Sequence, residues 1–153
     1  MSSVSSIARP AGARSFWLGF AAYLIPTFPI AFVWHLVLFD QKYHALRIYR
    51  EEPVIALGLG SMIIQGAIFS WLFPRVFPLG SRSVLKDGLL YGLGAGLLSW
   101  SFTTLAVAAK NVMVSVPDFV LLETAFTTLQ FAIVGPLIAL AHRRCAEKLI
   151  ARA

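Results

Sequence analysis

The chain has 153 residues, of which 58% are hydrophobic and only 13% charged, whereas about a quarter of an ordinary soluble domain is charged. With a mean hydropathy of +0.77, one domain cannot bury so much apolar side chain or cover its outside with so little charge; disorder, a disulfide scaffold and a cytosolic enzyme are all poor fits. The net charge of +6 is scattered between long apolar runs, without a basic stripe interleaved with aromatics, so no nucleic-acid partner is expected. The expected partner is the lipid bilayer, and the expected fold is all-α: a polytopic integral membrane protein with four transmembrane helices in one bundle.

Residues 1–13 read as a short disordered lead, followed by a transmembrane domain over 14–144 and a basic tail over 145–153. The first apolar run, Phe16 to Phe39, is too long for a secretory signal and is followed by no small-x-small cleavage site, so it reads as a spanning helix. Pro26 and Pro29 should each remove a backbone hydrogen bond and bend this helix near its middle. The connection from Asp40 to Glu52 should hold a short interfacial helix over 41–51. Ala45, Leu46, Ile48 and Tyr49 would share one side of it, and Asp40, His44, Arg47 and Glu51 the other. Arg47 sits within the second stripe and repels a cation, so solvated ion pairs account better than a metal for Asp40, His44 and Glu51.

The second run, Val54 to Phe73, is opened by Glu51-Glu52-Pro53 and closed by Pro74. The third, Gly88 to Ala109, begins with Gly88, Gly92 and Gly96 at four-residue spacing, a smooth ridge on one face that lets another backbone approach closely. That ridge serves either packing within the monomer or a dimer seam. Helix two carries looser versions of the same spacing in Ala56 with Gly60 and Gly66 with Ser70. The fourth run, Phe119 to Ala141, is opened by Pro117-Asp118. The lone Cys145 has no intrachain partner and supports neither a disulfide nor a cysteine metal site.

Lys and Arg divide unevenly between the two sides. Nine lie in the lead, in the connection between helices two and three, and in the tail; four lie in the other two connections. Both termini are therefore expected in the cytoplasm of a bacterial inner membrane.

Counting depth at about 1.5 Å per residue places Thr27, Gln65, Ser99 and Gln130, one per helix, in a shared layer roughly 16 to 18 Å from the outer ends. They read as interhelical glue or as a substrate or ion site. Nearer the outer face, Glu123, His35 and Lys110 could meet. An acid inside a spanning helix is costly unless paired, and Glu123, Thr127 and Gln130 fall on one helix face that should point inward. A structural Glu–Lys pair and an ion site are both open here, and Lys110 could also snorkel outward. The three histidines do not fall at one depth on facing helices, so bis-histidine haem is not expected. The chain shows no nucleophile with a base, no phosphate loop and no HExxH motif, and no metal or cofactor is expected.

The run Gly88-Leu89-Leu90-Tyr91-Gly92-Leu93, the stretch Trp100-Ser101-Phe102-Thr103-Thr104, and Glu123 with Thr127 resemble small four-helix bacterial inner-membrane proteins of unassigned function. In that family the stretch is typically Tyr-Asp-Leu-Thr-Asn and the later acid is Asp. Thr103 matches, Glu123 keeps the charge, and Ser101 and Thr104 depart from the pattern. The resemblance implies a topology and no activity. The leading expectation for function is a non-enzymatic membrane component that packs as a homo-oligomer or within a larger membrane complex. The alternative is a small oligomeric transporter or channel using Glu123 and the polar layer. Four helices enclose little room for a substrate, and internal repeats are absent.

Overall fold

The computed structural model describes residues 12–50, 52–77 and 83–150, with the backbone alone for 148–150. Most of the expected lead, the end of the basic tail, Glu51 and Arg82 lie outside the described residues. Those described form helices and no strand. Four helical stretches are long and apolar enough to cross a membrane: Ala13–Leu38, Ile55–Val76, Val84–Lys110 and Val116–Glu147.

Helix α1, Ala13–Val33, continues as a π-helical turn over Trp34–Leu38; α2 is Asp40–Ala45 and α3 is Ile55–Val76. Helix α4, Val84–Trp100, passes through a second π-helical stretch, Ser101–Leu105, into α5, Ala106–Lys110, and α6 is Val116–Ile150. Two local expectations are corrected. The interfacial helix stops at Ala45 instead of running to 51, because Arg47 takes a left-handed backbone (φ 59°) that no helix continues through. Tyr43, outside the apolar side expected there, is its fully buried residue, whereas Ala45 is exposed. Pro74 does not close helix two: α3 runs on to Val76, and the Arg75 guanidinium donates to the Trp71 carbonyl in its last turn.

Helix α6 is the hub. It packs most extensively on α4 and then on α1, while α3 leans mainly on α1. The α4–α6 contact is close because Gly88, Gly92 and Gly96 meet a complementary site on α6. A Cβ on Gly92 would overlap the Phe131 carbonyl, one on Gly88 the Pro136 backbone, and one on Gly135 the Gly88 carbonyl. The ridge therefore faces α6 within the monomer, with Gly135 its unforeseen counterpart.

Two apolar clusters hold the bundle. Tyr23, Phe69, Phe73, Tyr91, Phe131, Val134 and Ile138 fill the half nearer the chain termini, and Tyr43, Leu46 and Phe119 fill the end capped by α2. In the first half, His142 is a fully buried pin. Its Nδ1 lies 2.7 Å from Ser15 Oγ and its Nε2 3.4 Å from Ser70 Oγ, and Ser70 donates to the Phe16 carbonyl at 2.6 Å. Gly19 leaves the space for this cluster, since a Cβ there would overlap Ser70 and His142.

The outside of the bundle is apolar. Trp17, Leu57, Leu93 and Leu121 are each more than half exposed, and similar side chains surround them on every long helix. A soluble monomer rarely exposes contiguous apolar patches beyond a few hundred Å².

Candidate functional site

A cavity of about 190 Å³ lies among α1, α3, α4 and α6, lined by Tyr23, Thr27, Ala31, His35, Ser61, Met62, Gln65, Ser99, Thr103, Glu123, Phe126, Thr127, Gln130 and Phe131. Seven of the eight candidate polar residues therefore line one space: Thr27, Gln65, Ser99 and Gln130, with Glu123, His35 and Thr127. At about 30 Å³ per water, its volume corresponds to roughly six waters.

Each wall has a local cause. On α6, Glu123, Thr127 and Gln130 recur at helical spacing on the face turned to α1, and all three are buried. On α1, Tyr23, Thr27 and Ala31 form the matching buried stripe at four-residue spacing. The π-helical turn beyond it carries His35, and the π-helical stretch after α4 carries Thr103. Each π turn takes in an extra residue, rotating the downstream residues by about 100° relative to a regular helix. Such turns recur at functional sites.

Glu123 is the centre of the polar contacts. Its Oε1 accepts from Tyr43 Oη at 2.6 Å and lies 4.0 Å from His35 Nδ1, which in turn lies 2.8 Å from Tyr49 Oη. The Tyr43 and Tyr49 rings stack with centroids 4.6 Å apart, and the His35 ring packs on Tyr43 at 4.9 Å. Burial first, and then the Glu123 carboxylate, raise the phenols of both tyrosines above the ordinary tyrosine range. They face the acid as neutral hydroxyls.

Lys110 does not join the site. It is exposed at the end of α5, and no Lys or Arg of the described residues forms an ion pair with Glu123. The depth count that put Lys110 beside Glu123 assumed one uninterrupted helix, whereas the π-helical stretch over 101–105 turns everything after it. Asp40 and His44 pair with each other at 3.4 Å on the exposed side of α2.

Deeper in the cavity, Tyr23 Oη donates to Gln65 Oε1 at 2.7 Å and lies 3.5 Å from Gln130 Nε2. Thr27, only 1% exposed, lines the same space beside the Tyr23 hydroxyl. The layer residues thus converge on a space as well as on one another. Sequence reading missed Tyr23, Tyr43 and Tyr49. Tyr23 could have been found at i−4 from Thr27. The other two lie in the irregular α2 connection, where periodicity carries little information.

Comparison with protein-family models, curated proteins and solved structures gives no match to this chain.

Proposed function

We propose that the protein is a polytopic integral membrane protein whose interhelical cavity holds a small cation beside Glu123, and that it acts as a small carrier. The observation that carries this reading is the convergence of one buried carboxylate and six other polar residues foreseen for the spans on a single space. A component that used these groups only as glue would bring them into mutual hydrogen bonds with no room left over. The carboxylate accepts from Tyr43 but has no Lys or Arg partner among the described residues, so a bound cation would supply the counter-charge that an acid at membrane depth needs. Tyr23, Phe126 and Phe131 in the walls add ring faces that suit a cation. Thr103, Glu123 and Thr127, which carry the resemblance to small bacterial inner-membrane proteins, all line this space. The excess of Lys and Arg at the chain-terminal end supports an inner-membrane orientation with both termini cytoplasmic and α2 outside.

The test is uptake of radiolabelled tetramethylammonium into proteoliposomes under an inside-negative potential. The wild type should take it up at several times the rate of empty liposomes, and Glu123→Gln, which keeps shape and hydrogen bonding, should fold normally and return uptake to background. Background uptake by the wild type, or uptake by Glu123→Gln equal to it, contradicts the proposal.

A further inference from the structure

The cation site has a side entrance. On the opposite side of Ala31, His35 and Met62 from the cavity lies a groove of about 340 Å³ between α1 and the first turns of α3. Those three residues belong to both spaces, so they form a single wall between them. The rest of the groove is largely apolar, with Phe28, Phe32, Ile55 and Leu59 on its sides and Tyr49 and Arg50 at the α2 end. Phe28, Phe32, Ile55 and Leu59 are all exposed, so the groove opens to the surroundings of the bundle along its length.

The groove exists because α3 packs by only half its length. Its buried residues are Gly66, Phe69, Ser70 and Phe73, while Ile55 to Leu59 are exposed throughout and a Cβ on Gly58 or Gly60 would meet no atom within 4 Å. The small residues of this half therefore receive no other helix within the monomer. A second apolar groove, of about 390 Å³ between α4 and α6, also reaches the cavity, through Thr127 and Phe131. Its floor is the glycine contact in which Gly92 touches the Phe131 backbone. Opening that route means parting the most extensive helix pair in the fold. The α1–α3 wall includes Met62, a flexible, half-buried side chain.

We propose that the cation is the head of an amphiphile: a single-chain lipophilic amine that enters sideways, its ammonium group beside Glu123 and its chain in the α1–α3 groove. This rests on the cation-site reading above and names the ligand class for it. The cavity is sized for a head group alone, its carboxylate has no Lys or Arg ion-pair partner among the described residues, and the space next to it is apolar and exposed on the outside of the bundle. Thr27 and the amide pair of Gln65 and Gln130 line the head-group space. Arg50 stands beside Tyr49 at the α2 end of the groove, and Glu123 is the acid among the groove and cavity walls.

The experiment compares tetramethylammonium, decyltrimethylammonium and decyl sulfate for binding to the protein in nanodiscs, with empty nanodiscs subtracted for partitioning. Decyltrimethylammonium should bind at least tenfold more tightly than tetramethylammonium, and Glu123→Gln should abolish its binding. Gly58→Phe adds a ring at a groove-lining position where a Cβ meets no atom within 4 Å. It should remove the advantage of the decyl chain over tetramethylammonium in binding. If tetramethylammonium is taken up in a Glu123-dependent way but the decyl chain adds nothing, or adds the same in Gly58→Phe, the amphiphile inference is overturned and the cation site stands. If neither cation depends on Glu123, both fail. Decyl sulfate binding more tightly than the amine, and losing that affinity in Arg50→Ala, overturns the inference in favour of an anionic ligand.

Discussion

Among the described residues Glu123 has Tyr43 as its hydrogen-bond donor and no Lys or Arg ion-pair partner, and in a helix proposed to span a membrane that combination is expensive unless something else answers the charge. Tyr43 supplies part of the answer from outside the bundle, reaching in from α2 to donate at 2.6 Å. Hydrogen bonds to a charged group are worth about 1.5–3 kcal/mol. Tyr43→Phe should therefore lower unfolding stability by about that much, whereas Tyr49→Phe, which loses its contact with the His35 ring and none with the carboxylate, should cost about 0.5–1.5 kcal/mol, the range of an ordinary hydrogen bond. Both phenols hold their protons more tightly in the folded chain, chiefly through burial. Their contribution is therefore complete below the ordinary tyrosine value of about 10 and is lost as the pH climbs above it. Melting temperature followed from about pH 8 to about pH 11 should fall, and the fall should shrink in the Tyr43→Phe, Tyr49→Phe double variant. An equal fall in the double variant would assign it to other groups.

At the scale of elements, glycine positions separate into those that touch backbone and those that touch nothing. Gly92 meets the Phe131 carbonyl, whereas a Cβ added to Gly94, two residues on in the same helix, would meet no atom within 4 Å. Gly92→Leu should force α4 from α6 and cost at least the 1–3 kcal/mol typical of overpacking. Gly94→Leu should leave detergent stability unchanged or slightly raised, since a helix-interior glycine is itself unfavourable by about 1 kcal/mol. Equal melting temperatures for the two would place the close contact elsewhere. The four long helices were legible because apolar run length reports on them directly, and the ridge because four-residue spacing puts Gly88, Gly92 and Gly96 on one face. Gly135 was missed because a lone glycine beside a proline has no spacing to announce it. The end of the short α2 escaped for a different reason: it depends on one left-handed residue, Arg47.

For the molecule as a whole, a depth count found most of the cavity because helices of similar length set side by side bring equal depths together. It failed where the helix changed pitch: the π-helical stretch at 101–105 turns Lys110 away from Glu123, a rotation no hydropathy pattern records. The partly unpacked α3 was equally hidden, because Ala56 and Gly60 look in sequence like the residues that do pack. What remains at this scale is the claim on which everything above depends, that the space around Glu123 is a polar cavity reached within a membrane. Its most direct test is thiol labelling in a Cys145→Ser background with a small, positively charged, membrane-impermeant thiosulfonate, applied to spheroplasts and to inside-out vesicles. Ser99→Cys places a near-isosteric thiol in the cavity wall, and Leu98→Cys places one on the exposed apolar surface next to it. The account predicts that Ser99→Cys reacts from the α2 side in spheroplasts, that decyltrimethylammonium slows the reaction, and that Leu98→Cys stays unlabelled. Ser99→Cys unreactive from both sides, or both cysteines labelled alike, would contradict it.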